Sequence, residues 1–353
     1  MSTFSFSFAG DDIEEDATTS NLPHSSPPSK HAAETGSLRQ APKPAFPVTG
    51  QPLLQPQQHD LAFMLNALPS KISYSTLTVK LDDGQVLSIP RRELWDVRVQ
   101  LMAEEDDEGL GNLGQDDVRT GVYEGGFKSW ESSVDVVKEL HKRSQEILKS
   151  PGRVLELGCG TALPSLAIFQ WIFQTFPSVG GIHLGLADYN PTVLQLVTLP
   201  NILLSWAQAT STGSWEAEGE LEIDSGVLEH FRTSLESFNI KLSFFSGAWS
   251  PEFVKLVDQD LMPRPSRLTV IGAETIYSPA ALQSFAETLM SLLRTNDSVG
   301  KTAFIAAKKV YFGVGGSLED FCDIVRAKGG VVEQIREESD GVRRAVVGIT
   351  IPP

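Results

Sequence analysis

Seven short apolar segments, most of them separated by helical patterns, recur along the chain after Asp117. Alternation of strands with helices predicts a parallel sheet that has helices on both faces. Only Ser339-Asp340-Gly341 and a few neighbours separate the last two segments, which is too little chain for a crossover, so these two strands must be antiparallel. The sequence therefore predicts an α/β fold with a seven-strand, Rossmann-like sheet whose last strand is reversed. The predicted strands are Arg153–Leu157, Ile182–Ala187, Leu242–Phe245, Leu268–Ala273, Thr302–Ala307, Val331–Ile335 and Arg344–Ile351.

Helical patterns fill the intervals between these strands. The clearest are Ser132–Lys149, Pro251–Leu261, Pro279–Leu293 and Ser317–Lys328. We therefore assign residues 117–353 to one domain, which carries an acidic insertion at residues 207–240. From the sequence alone, this insertion either contacts a substrate or loops out into solvent.

The residues before this domain differ from it in composition. Residues 1–60 hold eight of the 21 prolines, and such a segment cannot bury enough apolar surface to order itself, which predicts a disordered tail. Within it, Phe4, Phe6 and Phe8 alternate with serines, a period of two that suits either an added strand or a frayed end. Residues 61–116 are predicted to form a hairpin from Tyr74, a helix from Pro90 to about Ala103, and an acidic linker.

Most of the negative charge lies outside the predicted domain core. The chain has 29 basic and 45 acidic residues, a formal net charge of −16. Residues 1–60, 101–117 and 201–240 carry net charges of −4, −7 and −6, so the other 236 residues sum to +1. This balance argues against direct binding of nucleic acid, which needs a basic surface, and against binding an anionic membrane.

Two further features of composition limit location and ligands. No apolar run reaches the roughly 18–20 residues that span a bilayer, and the N-terminus turns acidic within twelve residues, unlike a secretory signal. Cys159 and Cys322 alone give neither a disulfide framework nor zinc-ligand spacing, and His141 and His183 lack partners at such spacing. We expect a monomeric cytoplasmic protein without a metal, with the nucleus as a second location.

A glycine turn follows the first predicted strand of the domain. Val154–Gly160 (VLELGCG) runs from an apolar strand into two glycines, after which a helix opens, so backbone N–H groups can approach a ligand closely. The dinucleotide fingerprint needs a third glycine where this chain has Leu163, which disfavours a nicotinamide cofactor. Glu156, just before the glycines, suits a ligand that carries an ammonium group.

An acidic residue ends the second predicted strand. In this topology, a carboxylate at the position of Asp188 meets the hydroxyls of a ribose and accepts from both. The alternative is a cap for the helix that begins near Pro191, a role that Asn190 can fill by itself.

Five motifs that occur in a fixed order along the chain indicate a particular protein family. The sequence resembles the eukaryotic protein-histidine N-methyltransferases, which are class I enzymes that depend on S-adenosylmethionine. The resemblance covers roughly Asp117 to Ile351, and the FxFxF start is also similar. The motifs are Thr120–Glu131 (TGVYEGGFKSWE), Asp188–Asn190 (DYN), Phe245–Ser250 (FSGAWS), Glu274–Tyr277 (ETIY) and Tyr311–Gly316 (YFGVGG).

The resemblance implies methyl transfer to an imidazole nitrogen of a histidine in a large-subunit ribosomal protein. Trp130 and Trp249 are flat surfaces suited to adenine or to the sulfonium cation. One departure is Ala248, where the family often has an acidic residue. The residues expected to bind the cofactor are Ser129, Trp130, Glu131, Ser132, Glu156, Gly158, Cys159, Gly160, Asp188, Tyr189, Asn190, Ser246, Gly247, Ala248 and Trp249.

Two residues after the fourth predicted strand are the candidates for catalysis. Ligands of open α/β sheets bind at the carboxyl ends of the strands, where Glu274 lies. Its carboxylate can accept from one ring N–H and so fix the tautomer of a substrate imidazole, and Tyr277 can orient the ring or contact the sulfonium. Tyr311, Phe312 and Gly313 are expected to bind the protein substrate from an exposed loop.

Other functions stay open at this stage. Glu274–Tyr277 also fits the protein-lysine methyltransferases of the same branch, which share a D/E-x-x-Y motif. From a different class, the chain can be a cofactor-binding assembly factor without catalysis, although intact Glu156, Asp188 and Glu274 argue against this. A nicotinamide oxidoreductase is a more distant alternative, because of Leu163.

Overall fold

The computed structural model describes residues 53–103, 126–148, 152–174, 181–261, 266–295, 300–311 and 316–352. The strands in these ranges are β1 (Gln57–His59), β2 (Lys71–Lys80), β3 (Val86–Arg92), β4 (Gly152–Leu157), β5 (Ile182–Asp188), β6 (Glu218–Glu222), β7 (Ile240–Ser246), β8 (Arg267–Ala273), β9 (Lys301–Lys308), β10 (Val331–Glu338) and β11 (Arg344–Thr350). The helices are α1 (Leu61–Asn66), α2 (Leu94–Ala103), α3 (Glu131–Lys142), α4 (Ser144–Leu148), α5 (Leu163–Gln174), α6 (Pro191–Val193), α7 (Leu199–Thr210), α8 (Ser225–Ser237), α9 (Pro251–Leu261), α10 (Pro279–Arg294) and α11 (Leu318–Ala327). A π-helical segment, Leu194–Thr198, joins α6 to α7.

The main sheet has the strand order β1-β7-β5-β4-β8-β9-β11-β10. Strands β7, β5, β4, β8 and β9 are parallel to one another. Strand β11 is antiparallel to both of its neighbours, so β10 runs in the same direction as the parallel strands. The predicted seven-strand sheet with its last strand reversed is confirmed, and one further strand, β1, is added antiparallel to β7.

Helices pack on both faces of this sheet, where two apolar clusters form the core. Phe253, Val257 and Leu261 recur at helical spacing on α9 and are buried. Ser278 and Pro279 start α10, where the Ser278 side chain accepts from the Ala281 N–H at 3.2 Å. The four helices read from the sequence are present, the first of them as α3 and α4.

The N-terminal hairpin is present, but its helix begins later than predicted. Pro90 lies inside β3, paired with Thr76 of β2, instead of at a helix start. Strand β3 is an edge strand of a three-stranded sheet in the order β3-β2-β6, where a missing N–H is tolerated. The helix, α2, begins at Leu94.

The acidic insertion does not loop out. Its strand β6 pairs antiparallel with β2 and completes the small sheet, with Lys71 opposite Glu222 and Ser75 opposite Glu218. Phe231 and Leu235 of α8 join the apolar core of the main domain. The insertion and the N-terminal extension are therefore one structural unit.

The predicted tail also needs correction at its end, because Gln57–His59 form β1. Phe4, Phe6 and Phe8 and the acidic linker at 104–116 lie outside the described residues. Among the helices that the structure describes, none combines the length and apolar character needed to cross a bilayer.

Candidate active site

A cavity of ≈ 410 Å³ opens at the carboxyl ends of the parallel strands. Open α/β sheets bind ligands at this edge. Eleven of the twenty residues singled out from the sequence line it, and these come from segments far apart in the chain. They are Trp130, Gly158, Cys159, Gly160, Asp188, Tyr189, Ala248, Trp249, Glu274, Tyr277 and Tyr311.

The two glycines of the turn after β4 have positive φ angles and lie close to neighbouring segments. Gly158 has φ +65°, and a Cβ there would lie 2.7 Å from Cγ2 of Thr275. Gly160 has φ +49°, and its Cβ would lie 3.0 Å from the carbonyl oxygen of Gly126. A side chain at either position would be strained and would press on the neighbouring segment, so the turn depends on glycine.

Asp188 lies beside this turn at the end of β5. Its Oδ2 accepts from the Gly160 N–H and its Oδ1 from the Asn190 N–H, both at 3.0 Å. Burial raises the pKa of the Asp188 carboxyl to about 6, although these backbone donors act in the opposite direction. An ionised carboxylate has about four acceptor positions, so two backbone bonds leave capacity for ligand hydroxyls.

Glu156 does not line the cavity. Its Oε2 accepts from the backbone N–H of Ser165 at 3.0 Å and from the Ser165 hydroxyl at 2.5 Å. Burial raises its pKa to about 8. The structure thus places this carboxylate against the first turn of α5, where it satisfies a helix N–H, and outside the cavity lining.

Ser129 and Thr161 connect the glycine turn to the N-terminal hairpin. The Ser129 hydroxyl accepts from the Arg91 guanidinium at 2.9 Å and bonds to the Thr161 hydroxyl at 2.8 Å. The Asn201 amide donates to the Thr161 carbonyl at 3.1 Å and accepts from the backbone N–H of Arg92 at 2.7 Å. The N-terminal extension therefore stabilises the glycine turn through these hydrogen bonds. No sequence motif indicated this role.

Four other residues predicted to bind the cofactor are absent from the cavity lining. Each forms a hydrogen bond with another residue of the protein. Glu131 accepts from Arg344 at 2.5 Å, and Ser132 donates to Glu274. The Asn190 N–H donates to Asp188, and the Ser246 hydroxyl bonds to the His59 ring at 2.7 Å.

Gly247 lies against the segment that precedes β1. A Cβ at Gly247 would be 2.5 Å from the Gln55 carbonyl oxygen, and the neighbouring Ala248 N–H donates to the Leu54 carbonyl at 3.0 Å. Leu53, from the same segment, lines the cavity. Residues assigned from sequence to a disordered tail therefore form part of the cavity wall.

Glu274 is the carboxylate best placed for chemistry. It follows β8, lines the cavity, and has φ +56°, a conformation that is uncommon for non-glycine residues and is enriched at functional sites. The Ser132 hydroxyl donates to its Oε1, and the Tyr311 hydroxyl donates to its Oε2 at 2.6 Å. Burial raises its pKa against these two hydrogen bonds.

Tyr311 differs from its expected place. It is 8% exposed and bonded to Glu274, so the described part of the predicted loop is buried instead of exposed. The glycines that follow suggested an open connection, whereas the tertiary packing covers the ring. Phe312 and Gly313 lie outside the described residues.

The two tryptophans face the cavity in different ways. Trp249 stacks edge-on against Phe285 at 5.3 Å between ring centroids, and its buried Nε1 has no hydrogen-bond partner among the described residues. The Lys308 ammonium lies 5.2 Å from the centre of the Trp130 ring. Lys308 was not singled out from the sequence, and Thr275 was named there only as part of the Glu274–Tyr277 motif. Lys308 ends β9, and Thr275 follows β8.

The cavity fits the cofactor that the sequence resemblance implies. S-adenosylmethionine needs acceptors for ribose hydroxyls, aromatic or apolar walls for adenine, and backbone that can approach closely. Asp188, Trp249 and the glycine turn supply these. Nε1 of Trp249 and Oγ1 of Thr275 are buried polar atoms without a hydrogen-bond partner among the residues that the structure describes.

Known proteins resemble the chain over most of its length. Histidine protein methyltransferase 1 of Saccharomyces cerevisiae is 32% identical over 343 residues, which cover 90% of this chain and 89% of that protein. The protein of the same name from Schizosaccharomyces pombe is 36% identical over 272 residues, 75% of each chain.

A solved structure also resembles the chain. The solved structure of magnesium protoporphyrin IX methyltransferase from Synechocystis with bound SAH aligns at 9% identity and a TM-score of 0.36, covering 72% of this chain and 98% of that one. No protein-family model matches the chain. The extent and identity of the two yeast matches show that the chain is an S-adenosylmethionine-dependent methyltransferase and belongs to the histidine protein methyltransferase family.

Proposed function

We propose that this enzyme methylates an imidazole nitrogen of a histidine in a large-subunit ribosomal protein. The main structural support for histidine as the methyl acceptor is the Glu274 carboxylate. Two hydroxyl donors hold it at the cavity, and it has the capacity to accept a third hydrogen bond. The names of the relatives support histidine as the acceptor. The ribosomal part follows the sequence resemblance and the charge of the chain.

S-adenosylmethionine supplies a methyl group that its sulfonium sulfur already activates. The protein must then align a lone pair, and neutral imidazole offers one at physiological pH because its ordinary pKa is about 6.5. Glu274 accepts the N–H of one ring nitrogen, which turns the lone pair of the other nitrogen toward the methyl group. The same carboxylate stabilises the positive charge that develops on the ring as the new N–C bond forms.

The other residues of the cavity take positioning roles in this proposal. Asp188 accepts from the ribose hydroxyls, Trp249 packs on the adenine or the sulfonium, and the N–H groups of the glycine turn approach the cofactor. Tyr277, three residues after Glu274, orients the substrate ring. Ser132 and Tyr311 fix the direction of the Glu274 carboxylate.

The charge of the chain favours a basic protein that is not yet bound to RNA. Acidic segments attract a basic partner over a Debye length and repel phosphate. Glu216, Glu218, Glu220 and Glu222 are concentrated at the third strand of the small sheet. We therefore propose that a monomeric enzyme meets its substrate before or during ribosome assembly, in the cytoplasm or the nucleus.

Mass spectrometry of ribosomal proteins from cells with and without the gene tests this function. We expect one histidine-containing peptide of a large-subunit protein to lose the mass of a single methyl group when the gene is absent. Methyl loss only from a lysine peptide, or from no ribosomal protein, would contradict the proposal. Purified enzyme should also methylate the free protein faster than the mature ribosome.

Cofactor affinity should depend on pH through Asp188. With a pKa of about 6, the carboxyl is protonated at pH 5, loses acceptor capacity, and should weaken S-adenosylmethionine binding about tenfold relative to pH 7.5. Titration calorimetry across this range measures the effect. In Asp188→Asn the affinity should be low and nearly constant, and a wild-type affinity that stays flat would refute the assignment.

The contribution of Asp188 to folding stability depends on pH in the opposite direction from its contribution to cofactor binding. The pKa rises from 3.8 in the unfolded chain to about 6 in the folded protein, so the folded state holds more protons between these values. The stabilisation from Asp188 is therefore full below pH 3.8 and is lost as the pH rises to about 6. Because stability and cofactor affinity change in opposite directions with pH, the affinity must be measured directly and not through a melting temperature.

A further inference from the structure

A lysine lines the same cavity as Glu274 and has no role in the steps above. Lys308 is the last residue of β9, and its ammonium group lies over the Trp130 ring at 5.2 Å. Lys308, Trp130 and Glu274 line the same cavity. The backbone explains this proximity, because the Glu274 N–H donates to the Ala306 carbonyl at 2.9 Å, two residues before Lys308. Burial raises the pKa of Glu274, and the positive charge of Lys308 acts against that rise.

We propose that Lys308 is a specificity-determining residue that makes the cavity select an uncharged imidazole over cationic side chains. This inference rests on the proposed placement of the substrate ring against Glu274. A lysine ammonium or a protonated imidazole at that place would add a positive charge beside Lys308 and beside the sulfonium of the cofactor. Glu274, the carboxylate at that place, would have to balance them.

Transfer to neutral imidazole avoids this cost. The positive charge moves from the sulfur to the ring, so the net charge of the cavity is the same before and after the step. A lysine ammonium has no lone pair and must first pass a proton to Glu274, which leaves the cavity with one positive charge more than in the imidazole case. Lys308 therefore opposes transfer to a lysine more than transfer to a neutral imidazole. The face of Trp130 holds the Lys308 ammonium in place through a cation–π contact.

Other charged and titratable groups also lie near the cavity. Lys128 and Asp188 also line it, and Asp188 is bonded to the glycine turn. Arg344 of β11 acts on the pKa of Glu274 in the same direction as Lys308, but it pairs with Asp135 at 2.9 Å and with Glu131 at 2.5 Å and is absent from the cavity lining. The other titratable groups of the lining are Cys159, Tyr189, Tyr277 and Tyr311, and burial raises the pKa of Cys159 and of Tyr311 well above the ordinary values.

The test compares Lys308→Met and Lys308→Gln, which remove the charge, with Lys308→Arg, which keeps it. Lys309→Met is the matched control, because Lys309 pairs with Glu337 at 2.7 Å and is absent from the cavity lining. The probe is total protein extracted from cells that lack the gene, incubated with methyl-labelled S-adenosylmethionine. Methylhistidine and methyllysine are then counted after acid hydrolysis.

We expect the ratio of methyllysine to methylhistidine at pH 8 to rise about tenfold in Lys308→Met and Lys308→Gln, and to stay at the wild-type value in Lys308→Arg and Lys309→Met. At saturating protein fraction, the midpoint of the acid limb of the rate should rise by about one pH unit in the two neutral variants. Loss of the Lys308 charge raises the pKa of both the bound imidazole and Glu274, so the limb moves upward whichever group it reports.

An unchanged methyllysine-to-methylhistidine ratio in both neutral variants would overturn the inference, whatever the pH profile does. Complete loss of methylhistidine with normal cofactor binding would also overturn it, since a selectivity residue is not required for transfer. The proposed function fails separately: if Glu274→Gln retains methylhistidine formation, the placement of the ring is wrong. If only the ribosomal substrate is wrong, the ratio still tests Lys308.

Discussion

Glu274→Gln is expected to reduce the turnover number at least about a thousandfold while the dissociation constant for S-adenosylmethionine changes less than about threefold. The amide keeps the size of the side chain but offers one acceptor oxygen where the carboxylate offers two. The hydroxyls of Ser132 and Tyr311 now each donate to a separate oxygen, so one of them loses its acceptor. The variant also loses the negative charge that stabilises the methylated ring.

Two measurements made on the same preparation check this expectation. Calorimetry gives the cofactor affinity, and labelled methylhistidine gives the rate. Glu274→Ala should behave in the same way, and Glu319→Gln is the matched control, because Glu319 lies on the surface of α11 and pairs with Arg326. If Glu274→Gln no longer binds the cofactor, Glu274 is a cofactor ligand, and the proposed division of roles is wrong.

The sheet was predictable from the sequence because each strand and helix has its own local pattern. Leu268–Ala273 is an apolar run buried on both faces, and Phe253, Val257 and Leu261 recur at helical spacing, so these elements need no distant contact to be recognised. Strand β1 has no such pattern. Gln57–His59 are polar, and the main-chain bonds of an edge position on β7 hold them there.

The residues of the candidate site also differ in how well the sequence predicts them. Asp188 and Glu274 follow predicted strands and could be placed at the cavity from topology alone. Lys308 also lies at the end of a strand, but its contact with Trp130 depends on side-chain positions that no spacing indicates. The burial of Tyr311 has the same origin, because a ring beside glycines looks exposed until the packing around Glu274 is known.

Removal of the segment before Asp60 is expected to weaken cofactor binding at least about tenfold. A chain that begins at Asp60 keeps the side chain that caps α1 at 2.8 Å but loses β1 and Leu53. The Ala248 N–H then loses its partner, the Leu54 carbonyl, and the cavity loses one apolar wall. One buried hydrogen bond and one apolar contact together contribute roughly 2 kcal/mol, which corresponds to more than a tenfold change in affinity.

A chain that begins at Leu53 is the matched control, because it keeps the whole wall and should bind the cofactor within about twofold of the full chain. Leu53→Ala separates the side chain from the strand and should show only part of the loss. Equal affinity for the chains that begin at Leu53 and Asp60, with both folded by thermal unfolding, would show that β1 only covers the edge of β7. A loss confined to the shorter chain would show that Ala248 and Trp249 form a competent cofactor wall only when the extension pairs with them, since the Gln55 carbonyl lies where a Cβ of Gly247 would stand.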